Sequence, residues 1–215
     1  MFGVLLHLSL RGDLDTLIFV DDYSRFTWIY MLKHHSHIVP IFQTFHKMIQ
    51  TQFSRTIKIF RPDNTQEYND KSFLSILNSN GTLSHRSCPY TSEQNAHAER
   101  KLCHIFYVMC TLLISASIPE HFEAALTAIY TINPLPSPTT HKKSPFELLY
   151  EKLSNYSSLL VFVCACFVSL PPHERNKLEP RSQLCCFLGY GISQKGFRCY
   201  DPISRRLCIS RHVEF

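Results

Sequence analysis

The chain has 215 residues, enough for one large domain or for one ordinary domain with a small appendage. Apolar residues make up 45% and charged residues 18%, a globular balance that excludes disorder as a description of the whole chain. The formal net charge of +5 favours a polyanionic partner. Glycine is scarce, with 6 residues, so few positions can adopt a positive φ without strain.

The cysteine and hydropathy patterns argue against secretion and against a membrane partner. The 9 cysteines are odd in number and contain no C-x-x-C pair, which favours buried, reduced thiols and an intracellular protein. The longest apolar run, residues 159–170, is shorter than the roughly 20 residues that a membrane span needs. We therefore expect a soluble protein.

The N-terminal part mixes strand and helix patterns. Apolar residues recur at steps of three and four between Ile38 and Phe53, which predicts an amphipathic helix. A polar turn separates two apolar runs just before it, as in an antiparallel hairpin. In chain order we expect strands at 4–10, 16–20 and 26–32, a helix at 38–53, a strand at 56–61, a short helix after Asp70 and a short strand at 82–86.

The strongest helix pattern follows the polar loop 87–95. A further helix is predicted to begin at Pro119, and Ser144 with Glu147 forms a capping-box start for a short one. Strand candidates then follow at 159–170, 184–190, 196–200 and 206–209. These patterns predict an α/β domain over 1–140, a linker with a short helix over 141–155 and a β-rich segment over 156–215.

Two carboxylates have the placement of a metal-dependent phosphoryl-transfer site. Asp63 follows the strand predicted at 56–61, and Glu99 lies in the first turns of the long helix, with Asn95 one turn before it. Carboxylates from separate elements can share divalent ions that act on a phosphodiester. Spacing alone equally fits a turn aspartate and a solvated helix charge, so the pattern leaves both readings open.

Several motifs together closely resemble the integrase core of copia-type LTR retrotransposons, and the resemblance covers essentially the whole chain. They are FVDDYSRFTW at 19–28, RPDN at 61–64, CPYT at 88–91, QN at 94–95, AER at 98–100, INPLPSP at 132–138, SPFELL at 144–149, FLGY at 187–190, KGFRCYDP at 195–202 and HVEF at 212–215.

The resemblance implies an RNase H-like integrase core, with a mixed sheet flanked by helices, followed by a small all-β SH3-like appendage. It implies a site of two aspartates and one glutamate that binds Mg²⁺ or Mn²⁺ and inserts element cDNA into target DNA. Asp63 matches the second aspartate and Glu99 the glutamate, with 35 residues (64–98) between them. DNA and a possible homo-oligomer are the implied partners, and the implied location is nuclear if the protein is functional and otherwise intracellular.

The chain departs from the family pattern in two respects. Counting back through Gly3 places the first aspartate immediately ahead of Met1, outside the chain. Thr65, Gln66 and Ala96 stand where the family has glycines, so we expect stiffer loops there. We expect impaired catalysis by the chain as written. The alternatives are an active integrase whose first aspartate lies upstream and a domesticated, non-catalytic DNA-binding or interaction module.

The resemblance also implies DNA contacts close to Glu99. Tyr90, Asn95, Arg100 and Lys101 are the candidate nucleic-acid-binding residues, with a solvated basic helix end as the competing interpretation.

Two other groups of residues have structural interpretations. Asp21 and Asp22 match a family position outside the catalytic site and are expected to be structural or surface residues. Cys103 and Cys110 lie a heptad apart and are expected to pack within the helix rather than bind metal.

Overall fold

The structure is a computed structural model that describes residues 5–9, 15–32, 34–62, 71–85, 96–116, 121–157, 159–171, 175, 178, 180–191 and 194–215. The strands are β1 (Leu5–Ser9), β2 (Asp15–Val20), β3 (Thr27–Leu32), β4 (Ile59–Phe60), β5 (Leu83–Ser84), β6 (Ala165–Ser169), β7 (Ser182–Tyr190), β8 (Phe197–Asp201), β9 (Arg206–Ser210) and β10 (Val213–Glu214). The helices are α1 (Ile38–Phe53), α2 (Lys71–Ser79), α3 (Ala96–Ala116), α4 (His121–Ile132) and α5 (Pro145–Tyr150).

Contacts divide the chain into two compact units. One contains Met1–Phe106 and Ile132–Asn155, and the other contains Tyr107–Thr131 and Tyr156–Phe215. This division follows contacts and falls within α3, so the boundaries at residues 140 and 155 stay a prediction.

The first unit contains an antiparallel sheet in the order β1-β2-β3. Its middle strand, β2, is buried because Leu17, Ile18 and Phe19 are apolar on both faces. Phe19 lies opposite Trp28 on β3, and Leu17 opposite Tyr30. The hairpin predicted from the apolar runs is therefore confirmed, and the N-terminal strand prediction is confirmed at residues 5–9.

Helix α1 supplies the other half of this core. It buries Phe42, Phe45 and Ile49 on one stripe, as its sequence period predicts. The rings of Phe19 and Phe45 stack at 3.9 Å between centroids. Ser54 ends the helix with a left-handed backbone, φ 50°, and its N–H donates to the Gln50 carbonyl.

The parallel pair β4–β5 is shorter than predicted. The ladder pairs Ile59 with Leu83 and Phe60 with Ser84, although the alternation suggested a strand over 56–61. Ile57 forms a separate single bridge. Pro62 has no N–H to donate, which limits pairing at the end of β4.

The second unit contains an antiparallel sheet in the order β10-β6-β7-β8-β9. Its core comprises Cys166, Val168, Cys185, Phe187 and Cys199. Helix α4 packs on this sheet within the same unit. The Thr127 hydroxyl donates to the Leu188 carbonyl at 2.9 Å, and the rings of Tyr130 and Tyr190 stack at 3.8 Å.

The strand predicted over 159–170 is wrong in extent, because pairing covers only Ala165–Ser169. The segment before it turns at Phe162 and Val163, where Val163 has a left-handed backbone with φ 63°. Apolar character there reflects burial of Phe162 rather than strand pairing.

Candidate active site

Three of the six candidate site residues lie outside the described residues. These are Asp63, Tyr90 and Asn95. Asp63 directly follows Pro62, and Pro62 follows the parallel strand β4 by one residue. Its assignment as a metal-binding carboxylate therefore stays a prediction.

Glu99 lies in the first turn of α3 and is exposed. A carboxylate is favourable there because the N-terminal end of a helix carries a partial positive charge. No described residue makes an ion pair or hydrogen bond with this carboxylate, so both oxygens are available to a ligand. Hard carboxylate oxygens are the donors that Mg²⁺ and Mn²⁺ prefer, so Glu99 fits the metal that the sequence implies.

Arg100 and Lys101 follow Glu99 on α3, but they differ in burial. Arg100 is exposed, whereas Lys101 is half-buried. Desolvation, together with the positive charge of Arg25, lowers the pKa of Lys101 to about 8. Burial and the charge of Lys101 likewise lower the pKa of His104. The first turns of α3 therefore place a carboxylate and two basic side chains close together in sequence, on a helix end that is partly desolvated.

The turn between β2 and β3 is built around the buried Asp21. Its Oδ2 accepts hydrogen bonds from the Ser24 N–H at 2.8 Å and the Ser24 hydroxyl at 2.6 Å. The Arg25 N–H donates to the Asp21 carbonyl, and the Asp21 N–H donates to the Phe26 carbonyl. Asp21 Oδ1 is buried without a hydrogen-bond partner among the described residues. Asp21 thus has the structural role that the sequence suggests.

This turn presents a charged surface that the sequence interpretation missed. Arg25 Nη1 lies 2.9 Å from Asp22 Oδ1, and Arg61 Nη1 lies 3.5 Å from Asp22 Oδ2. Tyr23, which lies between Asp22 and Arg25 in the sequence, is 64% exposed. The adjacent acidic and basic residues were visible in the motif, but only the folded turn separates the buried Asp21 from the half-buried Asp22.

Two details of α3 correct the sequence expectations. Cys103 is exposed, so its expected packing is wrong, whereas Cys110 is half-buried. Ala96 opens the helix, where alanine fits a right-handed backbone without strain, so stiffening through a forced positive φ does not apply there.

The described part of the chain contains no metal-binding cluster, no disulfide and no membrane-spanning helix. No group of three metal-ligating side chains is close enough there to hold an ion. The cysteines in that part are free thiols. None of its helices is both long and apolar enough to cross a bilayer.

Comparison with known families matches two segments of the chain. Residues 5–92 match the Integrase core domain, and residues 164–215 match the Retroviral polymerase SH3-like domain.

Curated relatives come from plant transposons. The chain is 39% identical over 201 residues to the Retrovirus-related Pol polyprotein from transposon RE1 of Arabidopsis thaliana, covering 93% of this chain and 14% of that protein. It is 34% identical over 209 residues to the one from transposon TNT 1-94 of Nicotiana tabacum, covering 96% of this chain and 16% of that protein. The chain thus spans about one seventh of the length of these relatives.

Solved structures share the fold. The simian T-cell lymphotropic virus intasome in complex with PP2A regulatory subunit B56 gamma matches with a TM-score of 0.56 at 14% identity, over 99% of this chain and 77% of that one. The HTLV-2 integrase catalytic core domain in complex with magnesium, in a trimeric form, matches with a TM-score of 0.51 at 12% identity, over 68% and 95%. The predicted RNase H-like integrase core with an SH3-like appendage is therefore confirmed as the fold.

These matches agree with the motifs and with the observed order of elements. The chain carries an integrase core domain followed by a retroviral polymerase SH3-like domain, and it belongs with the retrovirus-related Pol polyproteins of copia-type plant transposons.

Proposed function

We propose that Asp63 and Glu99 are metal-binding carboxylates of an integrase active site that acts on DNA. The observation that carries the proposal is Glu99 itself, an exposed carboxylate without a described partner in the first turn of α3. Asp63 follows strand β4 at the spacing from Glu99 that the family resemblance requires. Membership of the integrase core family supports a role for both residues in one site.

Mg²⁺ or Mn²⁺ held there would supply Lewis-acid stabilisation of charge on a phosphodiester. The HTLV-2 integrase catalytic core domain, whose structure contains magnesium, supports this choice of ion. The chain's own part is to fix the carboxylates: α3 holds Glu99 on a regular helix, and Asp63 is proposed to be positioned by the parallel strand β4, which ends three residues before it in the sequence. Rigid elements matter because metal ligands must be placed to within about half an ångström.

DNA is the proposed partner of the surface around Glu99. Tyr90, Asn95, Arg100 and Lys101 are proposed to contact it through phosphates and stacking. The net charge of +5 supports a polyanionic partner. The fold relatives, an intasome and a trimeric catalytic core domain, support assembly into an oligomer. Insertion into target DNA would require this oligomer to act in the nucleus.

A polypeptide limited to these 215 residues contributes two carboxylates of the implied three, and we propose that it is catalytically impaired on its own. The test is a strand-transfer assay in Mg²⁺ or Mn²⁺ with this polypeptide and with a version extended upstream by an aspartate-bearing segment. We expect activity only from the extended version. Removing one shared ligand costs roughly a thousandfold or more in rate, so Asp63→Asn and Glu99→Gln should each abolish that activity.

The matched control for these variants is Glu151→Gln, which neutralises an exposed carboxylate in the same unit. Full strand transfer by Asp63→Asn or Glu99→Gln would contradict the proposed site. Inactivity of every version, combined with salt-sensitive DNA binding that survives both neutralisations, would instead support the domesticated binding module.

A further inference from the structure

Strand β9 (Arg206–Ser210) forms one edge of the five-stranded sheet in the second unit. It pairs with β8 on one side, and no described residue pairs with its other side. Alternate residues of an edge strand direct their backbone N–H and C=O groups away from the sheet, so this side carries a row of donors and acceptors. An extended peptide matches such a row, because it can add one further strand to the sheet.

The exposed face of β9 is apolar. Leu207 and Ile209 lie two residues apart and therefore point to the same side of the strand, and they are 45% and 41% exposed. Cys208, between them, points to the opposite side and packs on the core of the sheet. A further strand beside β9 would extend the apolar row with every second side chain, so the occupant is expected to alternate apolar and polar residues.

Exposed arginines lie at both ends of β9. Arg205 and Arg206 lie at its start, and Arg211 directly follows its last residue. None of the three makes an ion pair with another described residue. The ends of β9 therefore carry three positive charges that the described part of the chain leaves uncompensated.

Asp201 lies opposite Arg206 in the register but does not neutralise these charges. It is buried, and its carboxylate is used by the turn between β8 and β9: Oδ1 accepts from the Ile203 N–H at 2.9 Å, and Oδ2 accepts from the Ser204 N–H at 3.2 Å. The Gln183 side-chain amide donates to the same Oδ2. This carboxylate is satisfied within the fold, so the charge of Arg206 is available to an external carboxylate.

We propose that β9 is the docking edge for an extended, acidic peptide segment of a partner protein, which pairs with β9 as an additional strand. Apolar residues at alternate positions of that segment lie beside Leu207 and Ile209, and carboxylates at its ends face Arg206 and Arg211. Charge complementarity commits the edge to an acidic occupant. The proposal is independent of the integrase activity proposed above.

A second copy of this chain is a poor occupant of the edge. Antiparallel pairing of two β9 strands about Cys208 would place Arg205 of each copy opposite Arg211 of the other. Like charges directly opposite each other on neighbouring strands are destabilising. The arginines therefore disfavour self-pairing and favour a partner of opposite charge.

A nucleic-acid strand also fits the edge less well than a peptide. Its sugar–phosphate backbone has no alternating N–H and C=O groups that could pair with β9. The aliphatic side chains of Leu207 and Ile209 offer no ring on which a base could stack.

The test is the binding of a fluorescein-labelled peptide, EEVTVTVEE, to the full 215-residue chain, followed by fluorescence anisotropy. Two derivatives carry N-methyl groups on alternate residues, one set on each edge of the peptide strand. Only one edge of the peptide faces β9, so methylation of that edge should weaken binding at least about tenfold, whereas methylation of the other edge should change it by less than about twofold.

The charge requirement is tested in both the chain and the peptide. Arg206→Gln/Arg211→Gln should weaken binding of EEVTVTVEE by about fivefold or more, since two exposed ion pairs are lost, and the peptide KKVTVTVKK should not bind. The matched control, Arg55→Gln/Lys71→Gln, removes the same charge from exposed positions in the other unit and should bind EEVTVTVEE as the unaltered chain does.

Absence of peptide binding, or equal effects of the two sets of N-methyl groups, would overturn strand pairing at β9. Equal binding of KKVTVTVKK would refute the acidic class of partner. If a single-stranded oligonucleotide rather than the peptide loses affinity in Arg206→Gln/Arg211→Gln, the edge binds nucleic acid and the proposal is wrong. A dimer of the unaltered chain that the same double variant tightens would assign the edge to a second copy and likewise overturn the proposal.

Discussion

Asn133 offers the sharpest stability prediction, because its side chain completes the edge of β3. Its Oδ1 accepts from the Thr27 N–H at 3.0 Å, and its Nδ2 donates to the Thr27 carbonyl at 2.9 Å. Both residues are buried, with Thr27 1% and Asn133 6% exposed. The amide therefore acts like one residue of a neighbouring strand and links the INPLPSP motif to the hairpin 106 residues away.

Asn133→Ala removes both bonds and leaves a buried N–H and a buried carbonyl without partners. Each unsatisfied group costs about 1–3 kcal/mol, so the free energy of unfolding should fall by roughly 2–6 kcal/mol. For a chain of this size that corresponds to a Tm lowered by roughly 4–24 °C. Thermal unfolding followed by circular dichroism measures it.

The matched control is Asn78→Ala, which removes an exposed amide from α2. It should shift the Tm by no more than about 2 °C, since surface substitutions usually change stability by less than 0.5 kcal/mol. If Asn133→Ala and Asn78→Ala unfold at the same Tm, the assigned role of the Asn133 amide is refuted.

Three further predictions concern buried groups. Gly189 has φ 140°, and an added Cβ would lie 2.6 Å from Thr127 Oγ1, so Gly189→Ala should lower stability by about 1–3 kcal/mol; an unchanged urea midpoint would contradict this. His46 is buried and burial lowers its pKa, so its contribution to stability should be lost as pH falls below about 6.5. In His46→Leu the urea midpoint should therefore change less between pH 7 and 5 than in the unaltered chain, and an equal change in both proteins would contradict this role of His46. Burial raises the pKa of Cys185 to about 12, so mass spectrometry should find iodoacetamide on exposed Cys103 well before Cys185, and the reverse order would be inconsistent with the fold.

Helix α1 and the capping box of α5 could be predicted because their determinants are local. The apolar pattern from Ile38 to Phe53 predicts a helix over the residues that form α1, so the predicted bounds are confirmed. At α5, the Ser144 hydroxyl accepts from the Glu147 N–H at 3.0 Å, and the Glu147 carboxylate accepts from the Ser144 N–H at 3.0 Å. Hydrogen bonds from the Ser144 and Ser154 N–H groups hold the pKa of Glu147 below its usual value.

Features that depend on distant partners could not be predicted. The apolar run at 159–170 does not say where pairing starts, and the turn at Val163 decides that β6 begins at Ala165. The pairing of the Asn133 amide with the Thr27 backbone joins two segments 106 residues apart, so no local pattern contains it.

Metal binding tests the central claim most directly, since it needs neither DNA nor any upstream segment. Mn²⁺ titration of the 215-residue chain, followed by electron paramagnetic resonance, should show one bound ion that weakens at least tenfold in Asp63→Asn and in Glu99→Gln. Glu151→Gln should bind Mn²⁺ as the unaltered chain does. Equal Mn²⁺ affinity in all four proteins would contradict the assignment of Asp63 and Glu99 as a metal site.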